Sequence, residues 1–325
     1  MQPLRPGAGA RVRVPASSAN LGPGFDSVGL ALGLWDEYAV EVLPEHGTLE
    51  VVLEGEGADA LPADERHLVV ARLKEALGAC GLGWLDGYGL RLTCANTIPM
   101  SAGLGSSAAA IVGGLGLGFA LVRGGGLTEA DLGLVNTHAG VAEGHPDNSS
   151  ASVYGGLTVS WMPSARVVRT ARPSLHPEVV PVVLVPEGER LDTAVARSVL
   201  APAVPRADAV RQAGRAALLV HALTSDPTLL LDATSDWLHQ EQRRGAYPVT
   251  MGAVDILRTL GHAAVVSGAG PTVLCLTTTD LVDTVLAEAR SWGREWRVLT
   301  PGIPETGLQP DAAAPSGRPG PAPAG

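Results

Sequence analysis

Three segments of this 325-residue chain carry glycines, hydroxyls and carboxylates in patterns that suit chemistry on phosphate groups. The densest reads Pro99-Met100-Ser101-Ala102-Gly103-Leu104-Gly105-Ser106-Ser107-Ala108-Ala109. Its two glycines let a backbone turn tightly and approach a ligand with no Cβ in the way. Its two serines stand where a helix of small residues starts. A helix N-terminus offers unpaired N–H groups and the positive end of a dipole, which suits a phosphate. A serine hydroxyl there can cap the helix or meet a phosphate-bound Mg²⁺. The plainer reading is an N-cap ahead of a closely packed helix. It accounts for Gly113, Gly114, Gly116 and Gly118, each costing roughly 1 kcal/mol against Ala inside a helix, but not for the glycines and serines before them.

The second segment, Pro15-Ala16-Ser17-Ser18-Ala19-Asn20-Leu21-Gly22-Pro23-Gly24-Phe25-Asp26-Ser27, presents hydroxyl, amide and carboxylate groups. It reads equally as a surface loop with Asx-turns. The third, Val266-Ser267-Gly268-Ala269-Gly270-Pro271-Thr272, stands between two strands and by itself reads as a hairpin-like turn with glycines at positive φ.

Composition excludes several classes. A formal net charge of −10 argues against a nucleic-acid partner, and hydrophobic residues at 46% suffice for a full core. The basic residues are nearly all Arg, Lys74 excepted, and no Gly-Lys-Ser/Thr run exists to make a P-loop. Cys80, Cys94 and Cys275 are too far apart for a metal or disulfide framework and read as free thiols. No signal peptide and no membrane span is expected, so a cytoplasmic location follows.

The elements that must position these segments are read from periodicity. Strands are expected at 11–14, 38–43, 49–53, 88–94 and 157–161, and helices at 68–77 and 106–123. The second half reads as strand 179–185, helices 207–223, 227–240 and 248–260, strands 263–266 and 273–277, helix 281–292 and strand 296–299. Two helices apart, that order is β-α-β-β-α-β, the ferredoxin-like arrangement.

In this order and spacing the three segments resemble the motifs of the GHMP small-molecule kinases, over nearly the whole chain except the tail. The Pro99…Gly103-Leu104-Gly105-Ser106-Ser107-Ala108 loop marks that superfamily. The run Ser18-Ala19-Asn20-Leu21-Gly22-Pro23-Gly24-Phe25-Asp26 is similar to the homoserine kinase branch, as is Glu143-Gly144-His145-Pro146-Asp147-Asn148 followed by Gly155-Gly156. The resemblance implies an α+β, two-domain fold with ATP between its parts. A ribosomal protein S5 domain 2-like N-terminal domain would span 11–164, and a ferredoxin-like C-terminal domain 165–307. Residues 1–10 would be a flexible N-terminus and 308–325 a disordered tail.

The reaction implied is transfer of a phosphoryl group from ATP to L-homoserine, giving O-phospho-L-homoserine on the way to threonine. By the resemblance, the loop from Pro99 to Ala109, with Gly268 and Gly270, would hold ATP, and Ser107 and Glu143 would ligate Mg²⁺. Asn20, Asp26 and Asp147 would lie near the amino group and side-chain end of homoserine, with His145 beside them. Arg197 and Arg243 would meet the carboxylate, which Arg can grip with two parallel hydrogen bonds; Arg244 is an open alternative to Arg243. Asn148 stands where some GHMP kinases place an Asp, and an amide cannot accept a proton as a carboxylate can. The catalytic set would then be Asn148, Ser107 and Glu143, with direct attack by the substrate hydroxyl. One departure is His67-Leu68 where the family usually has Asn-Leu at the adenine pocket; His67 reads equally as an exposed helix-start residue. A kinase for another small alcohol, such as shikimate or mevalonate, and a GHMP-fold protein that only binds are the rival readings. The resemblance leaves room for a homodimer.

Overall fold

The computed structural model describes residues 4–190, 193–293 and 295–311. The chain opens with β1 (Gly9–Ala19), which alternates buried and exposed residues as far as Val14 and is buried from there on. β2 (Val28–Leu43) returns antiparallel beside it, with a register shift between Pro15 and Ala16. β3 (Leu49–Gly55), α1 (Leu68–Ala79) and β4 (Gly89–Asn96) form a crossover, since β3 and β4 are parallel neighbours and need a long connection. β4 thereby inserts between β2 and β3. Three helices follow: α2 (Ser106–Arg123), α3 (Glu129–Glu143) and α4 (Asp147–Tyr154). β5 (Leu157–Ser164) pairs with the start of β2, and β6 (Val167–Ala171) pairs with β5.

The second half contains β7 (Val179–Pro186), α5 (Thr193–Ser198), α6 (Arg206–Thr224), α7 (Leu230–Ala233) and α8 (Pro248–Thr259). It continues with β8 (Ala263–Val266), β9 (Val273–Thr278), α9 (Val282–Ser291) and β10 (Trp296–Leu299). Its four strands lie in the order β10-β7-β9-β8, all neighbours antiparallel, which is the expected ferredoxin-like arrangement. Alternate residues of β7 face opposite ways. Val182 and Leu184 pack with Met251, Leu257 and Val285 of α8 and α9, whereas Val183 and Val185 join the larger core continuous with the first sheet.

That larger core is built around α2, which packs on β1, α1 and α3. By length and composition α2 would cross a membrane, but it is mostly buried inside the protein. Its glycines permit this packing. A Cβ at Gly113 would meet the Tyr38 ring, and one at Gly118 the Ala76 side chain. All three cysteines are free, and burial pushes the Cys94 and Cys275 thiols up to about 12.

Four expectations are corrected. The helix expected at 227–240 is broken: after α7, the Asp236 carboxylate accepts from the N–H groups of Leu238, His239 and Gln240, competing with helical pairing. The break between the domains falls within 172–178, because the β5–β6 hairpin carries the first sheet past 164 to Ala171. The tail is fixed at its start: Leu308 is buried in the main core, and β11 (Gln309–Asp311) pairs antiparallel with β1. The rest of the tail, 312–325, lies outside the described residues. At the other end Leu4 packs on the core and the Gly7 N–H donates to the Val42 carbonyl, so flexibility is not the state of 4–10; residues 1–3 also lie outside the described residues.

Candidate active site

A cleft of about 470 Å³ opens between the two halves, lined by the end of β1, the first turn of α2, the end of α3, the start of α4 and the β8–β9 turn. The Gly/Ser loop forms one wall. Gly103 and Gly105 take φ of 78° and 71°. A Cβ at Gly103 would strike the Ser267 carbonyl, and one at Gly105 the Ser17 hydroxyl, so both the conformation and the space require glycine. The loop is fastened to the rest of the site. Leu104 O accepts from Ser17 N at 3.0 Å, and Ser267 Oγ donates to the Gly103 carbonyl at 2.6 Å.

Gly105 is the N-cap of α2, and no side chain closes that helix end. The first-turn N–H groups have no partner within a helix by geometry. They face the cleft beside Ser106, Ser107 and Ala108. An anion is what such an end binds. Ser107 is exposed here, so its hydroxyl is not spent on a cap.

Glu143 ends α3 and faces the same cleft. Its Oε2 is buried without a hydrogen-bond partner among the described residues. Burial pushes the carboxyl up to about 7, with His145 opposing that shift and Asp147 adding to it. An orphaned carboxylate oxygen and a non-capping hydroxyl lining one cleft fit a hard cation such as Mg²⁺.

The other end of the cleft is ionic. Asp26 binds Arg197 through two contacts of 2.5 and 3.3 Å. His145 Nδ1 lies 3.0 Å from Asp147 Oδ1, and ligand atoms of Asp26, His145 and Asp147 lie within 4.8 Å of one another. Burial works against charge on His145, but the hydrogen bond and charge of Asp147 outweigh it and raise the imidazole above its usual range. Burial likewise opposes charge on Arg197, and Asp26 more than restores it. Arg243 is 1% exposed; burial pulls its guanidinium below the ordinary value, and its Nε donates to the Ala196 carbonyl at 2.8 Å. Two carboxylates and two guanidiniums at one end match the two charges of an amino-acid zwitterion.

Of the residues expected at the nucleotide, Ser101, Gly103, Gly105, Ser106, Ser107, Ala108 and Gly268 line the cleft. Ala102, Leu104 and Ala109 point into the core instead, Pro99 is buried, and Met100 and Gly270 lie outside the lining. Of the substrate set, Asn20, His145, Asp147, Arg197 and Arg243 line the cleft, and Asp26 joins them through Arg197. Asn148 lines it too, its Oδ1 accepting from Ser17 Oγ at 3.1 Å. Arg244 is half-buried, lies outside the lining, and is paired with Glu241 and Asp255.

His67 is neither at the cleft nor exposed. It is buried and caps α1, accepting from the Val69 N–H; Leu68 is the residue that lines the cleft. Sequence reading missed Arg72 and Ile111, which also line it. Arg72 stands one helical turn after Leu68, a spacing that puts both on one face and was the available signal.

The fold and site define a class. The family model for the GHMP kinases N terminal domain matches residues 66–156, and that for the GHMP kinases C terminal matches residues 215–295. The homoserine kinase of Cutibacterium acnes is 48% identical over 275 residues, 85% of this chain and 91% of that one. The homoserine kinase of Streptomyces coelicolor is 46% identical over 300 residues, 92% of this chain and 94% of that one. The chain belongs to the homoserine kinases of the GHMP family. A crystal structure of homoserine kinase from Cytophaga hutchinsonii shares the fold, with a TM-score of 0.81 at 22% identity over 96% of this chain and 99% of that one.

Proposed function

We propose that this protein transfers the terminal phosphoryl group of ATP to the side-chain hydroxyl of L-homoserine, giving ADP and O-phospho-L-homoserine on the way to threonine. One observation carries the reading beyond the family: a single cleft joins an uncapped helix N-terminus to a cluster of two carboxylates and two guanidiniums. The first suits the phosphates and the second the zwitterion.

The roles follow from chemistry. The first-turn N–H groups of α2 hold ATP phosphate oxygens, and the positive φ of Gly103 and Gly105 lets the backbone close on them. Ser107 and Glu143 would hold Mg²⁺, which neutralises charge on the phosphate oxygens. Arg197 and Arg243 grip the substrate carboxylate, and Asp26 and Asp147 face its ammonium. Asn148, held by Ser17, aligns the hydroxyl for in-line attack. No carboxylate stands at that position, so the attack is direct, and the hydroxyl proton leaves by way of the phosphoryl oxygens to water. A soluble biosynthetic role in the cytoplasm fits this reading.

The test is a coupled ADP-release assay with and without homoserine. Homoserine-dependent release is expected. Release with another small alcohol but none with homoserine overturns the substrate, and nucleotide binding with no release under any alcohol overturns catalysis.

A further inference from the structure

His239 lies outside the cleft lining and is 1% exposed. It stands four residues before Arg243, and its ring touches both sides of the substrate end. Nε2 lies 2.8 Å from the Gly22 carbonyl, and Nδ1 lies 3.1 Å from Arg243 Nη1. A carbonyl only accepts and a guanidinium only donates. The two contacts together therefore fix the proton on Nε2 and leave Nδ1 as the acceptor, a neutral imidazole of a single tautomer. Burial holds the ring below its usual range, Arg243 adds to that, and Asp236, 3.6 Å away, works against it.

The ring also stacks on Phe25, with centroids 5.0 Å apart, and both Arg197 and Arg243 lie over that Phe25 ring. Gly22 and Phe25 belong to the loop that presents Asn20 and Asp26. The same loop is gripped once more by Gln212, whose Nε2 donates to the Pro23 carbonyl and to Asp236. One buried imidazole thus connects a carboxylate-binding arginine of the second half to the ammonium-binding loop of the first.

We infer that His239 is a positioning residue for homoserine: its neutral Nε2–H tautomer sets the Arg243 guanidinium in register with the loop that carries Asn20 and Asp26. The inference rests on the proposed role of Arg243 at the substrate carboxylate.

The experiment compares steady-state kinetics of His239→Phe, His239→Asn, Arg243→Ala and the His239→Phe/Arg243→Ala double variant, each with its melting temperature. Phe keeps the stack on Phe25 and removes both hydrogen bonds; Asn restores an acceptor near the position of Nδ1. His239→Phe should raise the homoserine KM about tenfold, the worth of one charge-assisted hydrogen bond, with kcat and the ATP KM within about twofold. His239→Asn should recover most of that loss, and the double variant should match Arg243→Ala alone. Equal effects on both substrates, a lowered melting temperature with an unchanged homoserine KM, or losses that multiply in the double variant would overturn the link to Arg243. Those outcomes leave the role of Arg243 standing. An unchanged homoserine KM in Arg243→Ala overturns that role, and the inference with it.

Discussion

The two ends of the cleft are built differently. The end proposed for phosphate is backbone: one turn of α2, opened by glycines at positive φ, with its donors supplied by the chain itself. The end proposed for homoserine is side chains brought together from the β1–β2 loop, the start of α4, α5 and the turn ahead of α8. A backbone site needs only one stretch of sequence to be right, and it fails when a side chain intrudes. A side-chain site needs several distant segments in register, and it weakens gradually as single contacts are removed.

The sharpest way to break this contrast is Gly105→Val. Both the left-handed backbone and the collision with Ser17 must then be relieved by shifting the loop. We expect a cost of about 3 kcal/mol in stability and about a 100-fold loss in kcat/KM, read by denaturant unfolding and ADP release. Full activity would mean that the loop geometry does not matter to phosphate binding. Next in size is Glu143→Ala, expected to lower kcat about 100-fold with homoserine KM little changed; Ser107→Ala should follow at about tenfold. Mg²⁺ should raise the melting temperature of the wild type but not of Glu143→Ala, a readout independent of turnover.

At the other end, Arg197→Ala should raise the homoserine KM about tenfold or more and leave the ATP KM within about twofold. Equal effects on both substrates would erase the division between the ends. The smallest expected effect lies beside the cleft, at His67. Its Nδ1 accepts from the Val69 N–H, and burial lowers the imidazole below its ordinary range, so the folded chain holds it neutral. A depressed folded value means that its contribution is fully present above the unfolded value of about 6.5 and is lost as pH falls. His67→Asn keeps a cap and removes the titration, so its melting temperature should fall less than that of the wild type between about pH 6.5 and 5.

The same contrast explains what could be read from sequence. The Gly/Ser loop was legible because a phosphate cradle is local: glycines, serines and a helix start within a dozen residues. Strand order in the second half was legible because β7, β8, β9 and β10 are short apolar runs bounded by turn formers. Arg197 and Arg243 had no local signature; only the family resemblance brought them together with Asp26, since their meeting depends on how two domains pack. Residues 38–43 and 49–53 lie in consecutive strands, but a later segment, β4, inserts between them, and no short-range pattern encodes that. The start of α3 carried a legible sign that went unused: Thr128 and Asp131 form a capping box. Leu308 sat in a stretch whose composition reads as disordered, yet one leucine and a three-residue strand suffice when a finished sheet offers them a groove and an edge.

That last strand has a mechanical meaning. Because β11 comes back to β1, the ferredoxin-like unit is an insertion spliced into the first sheet, tethered by one crossing at 172–178 and a second after Leu299. Together with the core that Val183 and Val185 share with the first sheet, the two crossings hold the arginines of the second half against the carboxylates of the first.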